Sequence, residues 1–280
     1  MGEAAGQAFD PGVARPARVY DYWLGGKDHY AADRAAARAV AAHRPQVAAG
    51  ARANRAFHAR AVTYLARRCG IRQFLDVGTG LPAPSPTHEI AQRIAPDSAV
   101  AYADSDPLVL VHARALLKAR SPGRCGYLHA DLRDPTTLLA QASATLDLAR
   151  PAAVLLLAVL HFLPDTDDPA GVVAALGRAL APGSYLAISH LTADFAPGPV
   201  TAAIDAYNAA VPGGVTARGH TEVTALFGRL SLVPPGVVPV AEWRPTTPTG
   251  HGARCADLYA GLAHTSHATA GTTRLGVLIG

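Results

Sequence analysis

Lysine is almost missing from this chain: among its 25 basic residues only Lys27 and Lys118 are lysines. The net charge of +4 therefore rests on arginines that are interspersed with acids and form no basic block, so a nucleic-acid partner is not expected. A G+C-rich coding bias accounts equally well for the abundance of arginine and alanine. Aromatic residues make up only 6%, which leaves the packing to aliphatic side chains. The three cysteines, Cys69, Cys125 and Cys255, are odd in number and widely separated, so neither a disulfide framework nor a metal site is expected. The twelve histidines are dispersed without ligand spacing. The longest apolar run, Ala152–Leu160, is far shorter than the roughly 20 residues that span a bilayer. Residues Met1–Asp10 lack the basic and apolar regions of a signal peptide. These absences point to a cytoplasmic chain without a membrane partner.

What the sequence does contain is aliphatic: 50% of its 280 residues are hydrophobic, enough for a sheet covered on both faces. Residues 1–16 read as a flexible arm and 17–70 as a helical segment in which Asp28 caps a helix running to Arg44, where Pro45 stops it, before a second helix at Ala51–Arg68. From Arg72 the pattern alternates between strands and helices. Strands are expected at 72–76, 99–103, 125–130, 152–159 and 184–191, with Ser85 and Pro86 opening one helix and Pro107 and Pro169 opening others. The run Ala152–Val159 suits a central parallel strand, and the alternation predicts a doubly wound α/β sheet. Apolar segments at 232–240 and 255–263 can add a sixth strand and an antiparallel edge strand, and 264–280 reads as a tail.

The first strand ends in Leu75-Asp76-Val77-Gly78-Thr79-Gly80. Glycines let backbone approach a ligand, and the carboxylate beside them suits an amine or a positive centre better than a pyrophosphate. Gly78-x-Gly80-x-x-Ala83 also satisfies the degenerate dinucleotide pattern, although Pro82, Pro84 and Pro86 delay the helix that should meet the phosphates. The second and third strands end at Asp104 and Asp131. The first carboxylate can accept both hydroxyls of a ribose and the second an exocyclic adenine amine, with the Leu132 backbone close by. Asp106 and Asp134, each before a proline, read as helix caps.

These stretches, together with Arg18-Val-Tyr-Asp-Tyr-x-Leu-Gly-Gly-Lys-Asp28, Asn54-Arg55-x-Phe57, His88-Glu89 and Leu160-His-Phe-x-Pro-Asp165, resemble an actinobacterial family of S-adenosylmethionine-dependent methyltransferases long catalogued as a domain of unknown function. The resemblance covers about Ala17–Tyr259. It implies a mostly parallel, seven-stranded class I methyltransferase sheet over 71–263, with S-adenosylmethionine across the strand ends. Asp76, Gly78, Thr79 and Gly80 would lie along the methionine and ribose, Asp104 and Ser105 at the ribose, Asp131 and Leu132 around the adenine, and Val159 against the cofactor. Tyr20, Tyr22, Trp23, Gly25, Gly26 and Lys27, with Asn54 and Arg55, would form a lid over cofactor and substrate. Ala83-Pro84-Ser85-Pro86-Thr87 replaces the family's Thr- and Asn-containing loop.

Methyl transfer from a sulfonium needs alignment and exclusion of water above all. Where the acceptor is a hydroxyl or protonated amine a base helps, and His161 is the candidate, ahead of His190 and His29. The expected acceptor is an oxygen or nitrogen of a small molecule. A non-catalytic binder of S-adenosylmethionine or S-adenosylhomocysteine stays open, as does an NAD(P) oxidoreductase, although no Tyr-x-x-x-Lys relay is present.

Overall fold

Prolines and glycines set the helix boundaries at the amino end of the computed structural model, which describes residues 10–119, 121–246 and 256–265. Pro16 opens α1 (Pro16–Leu24), and Gly25, at φ 80°, closes it in the left-handed region. A Cβ at Gly26 would stand 1.9 Å from the Asp21 carboxylate, so the paired glycines form a turn that other residues fit poorly. Helix α2 (Ala31–His43) begins at Tyr30, whose N–H donates to Asp33 at 2.7 Å. Asp28 is thus not the cap, because the acid inside the first turn takes that role; Asp28 donates its own N–H to Asp21 instead. Helix α3 (Val47–Arg68) starts two residues after Pro45, earlier than the expected Ala51. Of the arm expected over 1–16, residues 1–9 lie outside the described residues. Ala14 within it is buried, and the Arg15 N–H donates to Asp33 at 2.9 Å.

The alternating part follows the predicted order: β1 (Gln73–Val77), α4 (Thr87–Ile94), β2 (Ala99–Asp104), α5 (Pro107–Leu116), β3 (Arg124–His129), α6 (Pro135–Ala142), β4 (Ala153–Leu157), α7 (Pro169–Ala179) and β5 (Tyr185–Leu191). Asp106 and Asp134 cap α5 and α6 as expected, with N–H donors from Leu108 at 2.9 Å and Thr137 at 3.0 Å. Ser85 does not cap α4. It sits at φ 56°, and Pro86 precedes the helix without a side-chain cap. Then come α8 (Pro197–Ala210), α9 (His220–Ala225), β6 (Ser231–Leu232), β7 (Val238–Pro239) and β8 (Leu258–His264).

The sheet order is β3-β2-β1-β4-β5-β8-β6, with β7 also on β8. Strands β1 to β5 are parallel and β8 is antiparallel to β5. The expected seven strands become eight because the outermost position is broken: β6 pairs with Ala263 and His264, β7 with Tyr259 and Ala260, and Pro234-Pro235-Gly236 lies between them. The antiparallel strand is internal rather than at the edge. The tail from residue 266, and Cys255, lie outside the described residues.

Side chains alternate along the strands, so Phe74 packs with Phe57, Ile90 and Trp243 under α3 and α4 while Leu75 packs with Leu138 and Leu176 under α6 and α7. A smaller cluster, including Val19, Val40 and Tyr207, joins α1, α2 and α8. Strand order reverses between β1 and β4, the switch point where an open α/β sheet leaves a crevice at its carboxyl ends. No helix among the described residues is long and apolar enough to cross a membrane.

Candidate functional site

A cavity of about 810 Å³ opens at that switch point. Gly78 and Gly80 form its floor at φ 67° and 65°. A Cβ on Gly78 would stand 2.5 Å from Val159, so the turn after β1 fits against the loop after β4 only without a side chain. The Gly78 and Thr79 N–H groups donate to the Ala103 carbonyl at 2.9 and 3.3 Å, tying the turn to β2. The Gly80 N–H donates at 2.9 Å to one Asp104 oxygen, and the Asp106 N–H at 2.9 Å to the other. Both oxygens are thereby fixed in direction while keeping lone pairs for a ligand. Burial raises the Asp104 carboxyl, opposed by those two backbone donors.

Asp76 faces the same floor. Burial pushes its carboxyl up to about 6, although a hydrogen bond from the Thr87 hydroxyl and the nearby Arg55 charge favour ionisation. That hydroxyl donates to Asp76 Oδ2 at 2.6 Å and stands 2.7 Å from His58 Nε2. The hydroxyl has one proton, already committed to Asp76, so His58 donates from Nε2; its Nδ1 is buried without a partner. His58 and Thr87 are site residues that sequence reasoning missed; only the position of Thr87 before His88-Glu89 hinted at them.

Beyond Asp104, Leu132 is buried in the cavity wall and Ser105 stands exposed there. Asp131 accepts at 2.9 Å from both the N–H and Nη1 of Arg133, which reaches on to Asp167 at 2.7 Å. Arg133 is a wall residue that sequence reasoning also missed.

The amino-terminal residues divide. Tyr20, Trp23, Asn54 and Arg55 line the cavity, whereas Tyr22, Gly25, Gly26 and Lys27 stand outside its wall. Asn54 donates to the Tyr20 hydroxyl at 3.1 Å and accepts from Ser189 at 2.6 Å, and Tyr20 donates to the Ala51 carbonyl at 3.1 Å. Ser189 in turn accepts the Ala158 N–H at 2.9 Å, which holds Ala158 at φ 54° beside Val159. Arg55 donates to the carbonyls of Pro84 and Ser85 at 3.1 and 3.3 Å and so anchors the proline-rich loop.

Three histidines were candidates for a base. His29 has Nε2 at 3.1 Å from the Gly26 carbonyl and Nδ1 at 3.3 Å from Arg34. His190 Nε2 accepts from Arg218 at 3.0 Å, so Nδ1 carries the proton toward the Leu191 carbonyl at 2.7 Å. Burial lowers its pKa to about 4. Neither lines the cavity. His161 does, at 8% exposure, and its ring has no hydrogen bond among the described residues. Burial first, then the neighbouring His190 and Arg218, hold His161 well below the ordinary range and therefore neutral at pH 7. Arg218, 5% exposed, fixes the loop through the carbonyls of Leu160 at 3.3 Å and Leu163 at 2.9 Å and through Asp165 at 2.6 Å.

Residues 2–266 match the model of a family described as S-adenosyl methyltransferase. A duf574-family protein from Streptomyces avermitilis MA-4680 is similar in structure, with a TM-score of 0.88, 43% identity and coverage of 91% of this chain and 99% of that one. A protein from Thermobifida fusca YX, described provisionally as a methyltransferase, has a TM-score of 0.85 and 38% identity over 95% of this chain and 100% of its own. A comparison with curated proteins gives no match. The family match sets aside the dinucleotide reading of the glycine turn. The chain belongs to the S-adenosyl methyltransferase family and is an S-adenosylmethionine-dependent methyltransferase with a class I, Rossmann-like fold.

Proposed function

We propose that the chain methylates an oxygen or nitrogen of a small molecule held between α1, α2 and α8, with His161 accepting the proton. The observation that carries this reading is the unpartnered, neutral His161 ring in the cavity wall just beyond β4, in the same cavity as Gly78 and Gly80. The cavity volume of about 810 Å³ lies in the upper part of the range for small-molecule sites, about 300–1,000 Å³, which suits a cofactor with a small acceptor beside it.

The residues present fit S-adenosylmethionine. Gly78 and Gly80 leave the floor without side chains, Asp104 presents two oriented oxygens for a ribose diol, Asp76 offers a carboxylate to an ammonium group, and Asp131 and Leu132 flank the place of the adenine. When bound, S-adenosylmethionine supplies a methyl group on a positively charged sulfur that is already an activated leaving group. The protein's task is to orient the acceptor, exclude water and receive the proton. Tyr20, Asn54 and Ser189 hold α1 and α3 to β5, which fixes the acceptor side relative to the cofactor floor.

His161→Ala is expected to leave S-adenosylhomocysteine affinity within about twofold and to lower turnover by about 100-fold, the usual scale of a general base. Labelled-methyl transfer to a metabolite extract identifies the acceptor, and turnover with it gives the comparison. Wild-type turnover in His161→Ala would sink the base role.

A pH series tests Asp76. With its carboxyl near 6, binding of a ligand ammonium should weaken as pH falls through 6. The ligand-free fold should shift the opposite way: a carboxyl raised on folding destabilises the protein when ionised, so protonation below 6 relieves that cost. Thr87→Val removes the hydroxyl donor and should move the binding midpoint upward, measured by calorimetric titration between pH 5 and 8. An unchanged midpoint would exclude Thr87 as the group that keeps Asp76 ionised.

A further inference from the structure

The acceptor chamber carries more information about its ligand than the reaction alone requires. Its walls are Trp23 from α1, Val40 from α2, Phe162 after β4, and Val200, Ile204 and Tyr207 from α8. Three are aromatic in a chain with 6% aromatic residues. The rings of Trp23 and Tyr207 stand 6.4 Å apart at an angle of 39°, and Trp23 is held by its Nε1 bond to the Ala37 carbonyl at 3.4 Å. Planar aromatic walls favour planar aromatic ligands through offset or edge contacts.

Two polar groups enter this apolar space, and both are neutral. His161 Nδ1 is buried with no hydrogen-bond partner among the described residues, and Tyr207, 6% exposed, lines the cavity with a hydroxyl that no hydrogen bond among the described residues engages. Burial raises the Tyr207 phenol, so it is a hydroxyl at every physiological pH. A buried polar group without a partner, such as His161 Nδ1, is uncommon in folded proteins and marks where a ligand's own polar atom belongs, and the Tyr207 hydroxyl offers a second contact in the same wall.

The charges near the chamber are occupied. Asp257 receives Arg44 through two bonds of 2.6 and 2.9 Å, and Asp33 receives Arg18 at 3.1 Å. Arg15 also has a partner, and Asp10 is exposed with one oxygen on the Gly12 N–H at 2.7 Å. A protonated amine would therefore find no uncommitted buried carboxylate, and a carboxylic acid no uncommitted buried cation; either would lose its hydration without compensation.

We infer that the acceptor is an uncharged aromatic compound bearing a hydroxyl, methylated on that oxygen, with Tyr207 as a further binding residue. This rests on the methyl-transfer reading above. The acceptor oxygen forms the new bond to the methyl carbon as the carbon–sulfur bond breaks, its electron pair stays on sulfur, and the hydroxyl proton passes to the His161 imidazole.

The test is isothermal titration of the full chain saturated with S-adenosylhomocysteine, using 1-naphthol, 1-naphthoate and 1-naphthylmethylammonium as probes of one ring system and different charge. Naphthol should bind at least about 10-fold tighter than either ion, because only the ions must be stripped of charge hydration. Trp23→Ala should weaken naphthol at least about 10-fold and Tyr207→Phe about threefold, both with unchanged S-adenosylhomocysteine affinity. The ranking of the probes needs wild-type protein alone and so does not depend on either variant folding. An ion binding as tightly as naphthol, or no probe binding to protein that takes up S-adenosylhomocysteine, overturns the inference. Failure to bind S-adenosylhomocysteine overturns instead the reading on which it rests.

Discussion

Asp104→Ala is expected to weaken S-adenosylhomocysteine binding by at least about 100-fold. Two ribose hydroxyls donating to a carboxylate make charge-assisted bonds of roughly 1.5–3 kcal/mol each, and each 1.4 kcal/mol is a factor of ten. The geometry favours the upper part of that range, since the Gly80 and Asp106 N–H groups fix both oxygens before the ligand arrives. The fold should survive: the turn remains tied to β2 through the Gly78 and Thr79 bonds to Ala103, and Asp106 still caps α5. Asp104→Asn, which keeps the shape but replaces one acceptor oxygen, should fall between the two. Calorimetric titration beside a thermal melt makes the comparison. Affinity within about threefold of wild type, in a protein that melts normally, would remove Asp104 from the ribose.

Asp33→Ala should produce the largest loss of stability. Its side chain is fully buried, accepts the N–H groups of Arg15 and Tyr30, and faces an Arg18 that is 2% exposed. Removing one member of such a pair leaves a buried charge uncompensated, at roughly 3–5 kcal/mol. The carbonyl of Val13 still accepts from the guanidinium, which favours the lower figure. The damage should be local, because α1, α2 and α8 share a hydrophobic cluster of their own outside the two that cover the sheet. Hydrogen exchange should therefore accelerate across 16–43 while β1 and β4 keep their protection. Replacing both partners, Arg18→Met with Asp33→Leu, should recover much of the loss, since no charge then remains to be buried. Uniform acceleration across the whole sheet would show that the helices and the sheet unfold as one unit.

The strand-end side of the cavity was legible because its information is local. Asp76, Gly78, Gly80, Asp104 and Asp131 each sit at or just beyond a strand end, and strand ends can be read from apolar runs and the prolines that open the next helix. Misplaced caps had tertiary causes. Asp28 and Asp33 are equally suited to begin α2, and Asp33 prevails because Arg15 and Arg18 also converge on it. Ser85 was a reasonable cap until Arg55, 30 residues earlier, took hold of its carbonyl. The opposite wall, proposed above to hold the acceptor, was mostly hidden. Ser189 and Asn54 are 135 residues apart, and no periodicity announces that they meet. Tyr207 lies on α8, beyond the alternating stretch in which strands and helices are easily read. His161 could be proposed from its place after β4, but its lack of a partner, which separates it from His29 and His190, is visible only in three dimensions.

The ion pair between Arg44 and Asp257 joins residues 213 positions apart. At roughly 5–20 residues per second of translation, Arg44 is added to the chain about 10–40 s before its partner. By then β1 to β5 have all been made and are available to pair, whereas the cavity still lacks the part of its wall that Ala256, Asp257 and Leu258 provide. Synthesis thus completes the strand ends around the Gly78–Gly80 turn well before the last stretch of the same cavity's wall.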